Sequence, residues 1–255
     1  MKGKGSTAGG RQPAAGGDVY VVDVLVPTAR FVFTVRRDGI VVDSEHRSPE
    51  AFRRYSELKA REPVVGMTTF PNSVLLRGPR SILVDPGMEL QNEPLVRALE
   101  ERGMSPGRLD LIALTHAHSD HVGAVVDLAG ATPVAVHEAE QADSHWPVAL
   151  GSLGDHPLIT LRGQEGELAP GVRWLHTPGH SSGSVCYVVE GVDGPVVLAG
   201  DTIGPLPESF AAMQAPVPGP VGDSIVAAWR LIRGLRPVLI VAGHVPPFVP
   251  GESEG

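Results

Sequence analysis

Apolar positions fall in short runs along the chain, broken by Gly, Pro and Asp. Residues 18–42, DVYVVDVLVPTARFVFTVRRDGIVV, are dense in Val, Phe and Ile with a Pro-Thr break and an Asp-Gly turn signal, which predicts two or three strands. In SPEAFRRYSELKAREP, Ser48 is a candidate N-cap, Pro49 stands at the first helical position and Pro63 is a stop, so a short helix or lid is expected there. NSVLLRG and RSILVDPG read as two strands joined by a Gly-Pro turn and ending at Asp85. EPLVRALEER puts Leu95, Val96 and Leu99 on one helical face, closed by Gly103, as a crossover helix would. LDLIALT, residues 109–115, is a continuous apolar run suited to a strand buried on both faces.

Beyond it, VGAVVDLAG (122–130) has helical spacing, TPVAVH reads as a strand, and EAEQADSH as a short helix. VRWLHT, SVCYVVE and GPVVLAGD are three further strand patterns, and PVLIVAGH is a last buried one. SIVAAWRLIRGL reads as a helix with Asp223 in a capping position. Alternating strands and helices indicate an α/β layered fold, and the strand-rich first third adds sheet meanders. Two sheets between helical layers satisfy both.

Composition narrows the function. With 255 residues and 42% apolar content, the chain can bury a core as one large domain or two small ones. A formal net charge of -8 argues against a general electrostatic grip on nucleic acid or an anionic membrane. Cys186 is the only cysteine, so no intrachain disulfide calls for an oxidising compartment, and the cytoplasm is the expected location. Residues 1–17 are rich in Gly, Ala and Ser and lack the apolar stretch of a secretory signal; they are expected to be a disordered tail before a domain at 18–250. No apolar window approaches the ~18 residues that a membrane span requires.

The strand 109–115 runs straight into THAHSDH, where His116, His118, Asp120 and His121 occupy six consecutive positions. His116 and His118 can point at one ion from an extended loop, while Asp120 and His121, opening a helix, can turn toward a second. Each such site is short of ligands, and in an open α/β sheet the loops at strand C-termini converge on one crevice. His180, Asp201 and His244 each follow a strand pattern, and glycine precedes Asp201 and His244.

THAHSDH resembles the HxHxDH motif of the metallo-β-lactamase fold superfamily, and ILVDPG before it, with TPGHSSGS, LAGD and AGH after it, resemble that family's other motifs in order. The resemblance runs from about Asn72 to Pro247. It implies a four-layer αββα sandwich with a dinuclear centre at one edge of the two sheets. On this resemblance His116, His118 and His180 would bind the first metal, Asp120, His121 and His244 the second, and Asp201 would bridge them. Asp85 would orient a ligand histidine from behind, with a turn-capping role before Pro86 as the alternative. The resemblance also implies a proton-shuttle role for Asp120. Two divalent cations roughly 3.5 Å apart lower the pKa of a bridging water toward ~7 and polarise the scissile bond. Zinc suits the donor set best, with iron, manganese or cobalt also accommodated, and no organic cofactor is implied.

Asp201 separates the chain from β-lactamases of this fold and aligns it with the glyoxalase II, lactonase and nuclease branches. Against a nuclease stand the lack of a long cap insertion between Asp201 and His244 and of a basic stretch near the motifs. Gly204 stands where quorum-quenching lactonases carry a tyrosine, and the chain stops soon after His244, where glyoxalase II continues into a helical domain. The expected function is therefore hydrolysis of a small-molecule ester, lactone or thioester, with no nucleic-acid or membrane partner. The alternatives are a mononuclear-iron persulfide dioxygenase, a phosphodiesterase or nuclease of the same fold, and a non-catalytic binding protein. His137, His145, His156 and His176 are expected to be structural or exposed, and Cys186 to be core. Trp146, Phe210 and Met213 are candidates to line a pocket, and the Pro-rich loop 205–220 to set specificity.

Overall fold

Side chains on a strand alternate between its two faces, and here both faces of the central strands are apolar. The computed structural model describes residues 17–28, 31–36, 41–46, 64–68, 70–128, 130–204 and 207–251. The helix expected at 48–63 and nearly all of the expected tail lie outside the described residues. Strands β1 (Val21–Val26), β5 (Ser73–Arg77), β6 (Ser81–Val84), β7 (Leu111–Ala113), β8 (Val134–His137) and β9 (Leu158–Leu161) form one sheet in the order β1-β5-β6-β7-β8-β9. The pairs from β1 to β6 are antiparallel, and those from β6 to β9 parallel. The second sheet, in sequence order, holds β10 (Glu165–Ala169), β11 (Val172–His176), β12 (Val185–Gly191), β13 (Gly194–Gly200) and β14 (Leu239–Ala242). Only its last pair, β13 with β14, is parallel. Strands β2 (Phe31–Arg36), β3 (Val41–His46) and β4 (Val64–Thr68) make a separate antiparallel sheet, β3-β2-β4.

Three cores stack these layers. Val74, Leu76, Ile82, Val84 and Leu111 from the first sheet meet Trp174, Val185, Tyr187, Val189 and Leu198 from the second. The alternate residues Leu75, Leu83 and Ile112 turn outward onto Leu95 and Leu99 of helix α1 (Asn92–Glu101) and onto Ala149 and Leu153 of α3 (Trp146–Leu153). On the far side, Cys186, Val188, Val197 and Ala199 turn onto Phe210 of α4 (Pro207–Ala212) and Ile225, Trp229 and Ile232 of α5 (Gly219–Gly234). Each Val, Leu, Ile or Phe among them contributes about 1.5–3 kcal/mol by leaving water. The result is the expected αββα order of layers.

Several elements differ from expectation. The helix expected over 122–130 is one turn, α2 (Ser119–Val122), followed by a 3-10 segment at Gly123–Asp127. Gly87 N–H donates to the His121 carbonyl at 3.1 Å and Ala124 N–H donates to the Gly87 carbonyl at 2.8 Å, so tertiary bonds occupy groups that an α-helix would use itself. Helix α5 begins at Gly219, with Pro220 in its first turn, so Asp223 lies inside the helix and does not cap it. The loop expected at 205–220 contains α4 and the start of α5. Phe210, at 3% exposure, is a core anchor, while Trp146 and Met213 pack part-buried on the cores. Among the described residues, no helix is long and apolar enough to cross a membrane.

Candidate metal centre

Strand polarity gathers the chemistry at one edge. Asp85 follows β6, the residues 116–121 follow β7, Asp201 follows β13 and His244 follows β14, all just beyond strand C-termini. His180 comes from the turn between β11 and β12. Asn72 joins the two sheets at this edge. Its backbone N–H donates to the Gly243 carbonyl, its side-chain amide donates to the carbonyls of Ala242 and Val245, and its Oδ1 accepts from Thr28 N–H, all at 2.7 Å.

His116, His118 and His180 bring ligand-capable nitrogens within 4.8 Å of one another, as do the donor atoms of Asp120, His121 and His244. His180 Nε2 lies 3.0 Å from His118 Nδ1. Asp201 stands between the two groups. Its Oδ1 is 3.4 Å from His121 Nε2, and its Oδ2 is 3.3 Å from His244 Nε2 and 3.5 Å from His180 Nε2. Asp120 Oδ2 is 3.2 Å from His244 Nε2. The seven residues singled out as ligands thus converge on one place.

The residues fit divalent metal. His116 Nε2, His121 Nε2 and Asp201 Oδ1 are buried without a hydrogen bond, an arrangement proteins avoid unless another group completes it. All seven residues offer carboxylate or imidazole donors that face one another closely, as hard and borderline divalent ions require.

Electrostatics divides the metal-free centre. Burial, aided by His121, pushes His116 well below the ordinary histidine value, and burial with His180 and His145 pushes His118 down to about 4. Both rings are neutral with a lone pair to offer. Burial opposes charge on His121 and His244 too, but Asp85, Asp201 and Asp120 outweigh it for His121, and Asp201 and Asp120 raise His244 to about 9. Burial raises Asp201 and Asp120, yet His244 and His121 outweigh it and hold both carboxyls below the usual range. Protons therefore balance the carboxylates in this half, and an arriving cation would displace them.

Asp85 has φ 46°, left-handed and uncommon outside glycine. Its Oδ1 accepts from Thr115 N–H at 2.8 Å, and its Oδ2 accepts from the Thr115 hydroxyl at 2.6 Å and from His121 Nδ1 at 2.9 Å. The last contact places the proton on Nδ1 and turns Nε2 toward Asp201. Gly243 lets Asp201 occupy its position, since a Cβ there would sit 2.1 Å from Asp201 Oδ1. Gly243→Ala is expected to displace that carboxylate and weaken zinc uptake at least tenfold with unchanged circular dichroism. Wild-type affinity in a zinc titration would show that the carboxylate is free to shift.

Of the other histidines, His137, His156 and His176 are held by the carbonyls of Gly163, Thr132 and Ser182. His145 is exposed as expected, but its ring lies 4.0 Å from that of His118 and its Nδ1 is 2.8 Å from Asp143 Oδ1, at the mouth of the centre. Cys186 is fully buried and its thiol is raised to about 11 by burial, which makes it an inert core residue.

Residues 67–244 match the family model of the Metallo-beta-lactamase superfamily. The chain belongs to this superfamily. Its relatives include human Metallo-beta-lactamase domain-containing protein 1, 34% identical over 180 residues, covering 68% of this chain and 60% of that protein. A UPF0173 metal-dependent hydrolase of Thermofilum pendens is 34% identical over 66% of this chain and 75% of its own length. A hydroxyacylglutathione hydrolase of an Enterobacter species is 32% identical over 49% of this chain and 43% of its own length. The chain thus spans about 60% of the human relative and under half of the hydroxyacylglutathione hydrolase. Among solved structures, a Thermotoga maritima protein described as a metallo-β-lactamase aligns with TM-score 0.64 and 20% identity over 91% of this chain and all of its own. Bacillus thuringiensis AiiA, solved with N-decanoyl-L-homoserine in its active site, aligns with TM-score 0.58 and 22% identity over 72% of this chain and 85% of its own. These two establish the shared fold.

Proposed function

We propose that the chain is a dinuclear metal-dependent hydrolase that cleaves an ester, lactone or thioester bond in a small molecule. The observation that carries this reading is Asp201, whose two oxygens face histidines of both trios. In it, His116, His118 and His180 hold one divalent ion, Asp120, His121 and His244 hold the other, and Asp201 is shared. Zinc is the favoured metal for this nitrogen- and oxygen-donor set. The ions supply Lewis acidity and a water made nucleophilic near neutral pH.

The chain's own groups do the rest. Asp85 keeps His121 in one tautomer, and Thr115 keeps Asp85 in place. Asp120, less buried than Asp201, is the carboxylate best placed to carry a proton toward a leaving oxygen or sulfur. The relative named as a hydroxyacylglutathione hydrolase and the neighbour solved with N-decanoyl-L-homoserine bound are in keeping with small acyl substrates. The net charge of -8 supports a free small molecule over nucleic acid or a membrane, with the cytoplasm as the proposed location.

Elemental mass spectrometry of protein purified without added metal tests the reading, together with a panel of esters, lactones and thioesters. Near two divalent ions per chain and turnover of at least one substrate class are expected. About one iron per chain with no hydrolysis would overturn the reading and direct attention to persulfide oxidation.

A further inference from the structure

We propose that Glu140 is a positioning residue for the trio His116, His118 and His180, an inference that rests on reading that trio as ligands of one metal ion. Glu140 lies in the 3-10 turn Glu138–Ala142 after β8 and is 0% exposed. A carboxylate taken so far from water costs several kcal/mol unless its oxygens are satisfied. Both are, and among the described residues only by the two loops that carry the trio. Oε2 accepts the N–H of Ala117, the residue between His116 and His118, at 2.8 Å. Oε1 accepts the hydroxyl of Ser181, the residue after His180, and the N–H of Gly183 at 2.8 Å.

One side chain therefore holds together two loops more than 40 residues away from one another along the chain, each through an atom adjacent in sequence to a ligand. The fit is close. A Cβ on Gly183 would lie 2.4 Å from the backbone nitrogen of Glu140. Around it, Ser182 donates its hydroxyl to the Ala139 carbonyl at 3.1 Å, and Ser181 N–H donates to Ser184 Oγ at 3.1 Å. The consequence appears in the trio itself, where His118 Nδ1 and His180 Nε2 are held 3.0 Å apart. Among the described residues, nothing comparable links Glu140 to the other half. Asn72 fills that place, bonded on both sides of His244 to Gly243 and Val245.

The test is a two-step titration of metal-free protein with Co2+ or Zn2+, read by calorimetry and by the Co2+ absorption spectrum. Wild type is expected to fill two sites. Glu140→Gln places an amide where three donors converge, and is expected to weaken one step by about 10–100-fold while the other step stays within threefold. Ser181→Ala, which keeps the carboxylate and removes one of its donors, is expected to weaken the same step by a smaller factor. His116→Ala identifies that step by abolishing it. Wild type that takes up no metal would sink the proposed function itself. Two unchanged steps in Glu140→Gln, even with a lowered Tm, would overturn the positioning role alone, and so would equal weakening of both steps. If Glu140→Gln fails to fold, Ser181→Ala decides by the same criterion.

Discussion

Asp201→Ala is expected to lower kcat/KM by about 10^3-fold or more, equivalent to ~4 kcal/mol of transition-state stabilisation, and to leave fewer than two metal ions per chain. The reason lies in what its two oxygens face. His121 Nε2, His180 Nε2 and His244 Nε2 are 3.4, 3.5 and 3.3 Å from them, so this one carboxylate faces both halves of the centre. Without that carboxylate, His121 and His244 lose a main source of the attraction that keeps them protonated in the metal-free protein. Two divalent ions would then face one another with one negative charge fewer between them. Asp201→Asn keeps the shape but halves the ligating capacity, and its loss should fall between wild type and alanine. Steady-state kinetics with elemental analysis on the same samples checks both. Activity within tenfold of wild type in Asp201→Ala would remove the bridging role.

The centre was more legible in the sequence than the elements around it. His116, His118, Asp120 and His121 are local, and His180, Asp201 and His244 each follow a strand pattern, so the strand ends suggested their convergence and the family resemblance assigned them to one centre. Glu140 and Asn72 gave no such signal. Their meaning lies in contacts with residues 117, 181, 183, 242 and 245, which no local pattern reveals. His145 is exposed as expected, but its contact with His118 was hidden for the same reason, because that neighbour is on another loop. Among elements, α3 was obscured by Pro147 and Gly151 within WPVALGSL, and β9 and β10 by short, partly exposed sequences without a continuous apolar face. The helix expected at 122–130 had sound periodicity, but Gly87 competes for its backbone groups. Phe210 looked like a loop aromatic because the helix that supports it is only six residues long.

Trp229→Ala is expected to cost about 3–5 kcal/mol of stability, the range for removing a large aromatic side chain from a core. Melting temperature should fall by roughly 6–20 °C, given about 2–4 °C per kcal/mol for a domain of this size. Trp229 is 2% exposed on α5, packs in the core formed with Val197, Ala199 and Ile240, and meets Phe210 edge-on with ring centroids 5.8 Å apart. Its second contribution reaches the metal centre. Nε1–H donates at 2.7 Å to the carbonyl of Thr202, the residue after Asp201, and the Thr202 hydroxyl is 3.0 Å from that of Thr177 in the strand-end turn leading to His180. Trp229→Phe separates the two contributions, since it keeps most of the buried ring and leaves the Thr202 carbonyl without its donor, a cost of about 1–3 kcal/mol. Thermal melts should then rank alanine far below phenylalanine, whereas zinc affinity should fall in both. Wild-type zinc affinity in a folded Trp229→Phe protein would mean that the outer helix stabilises the second sheet without governing where Asp201 stands.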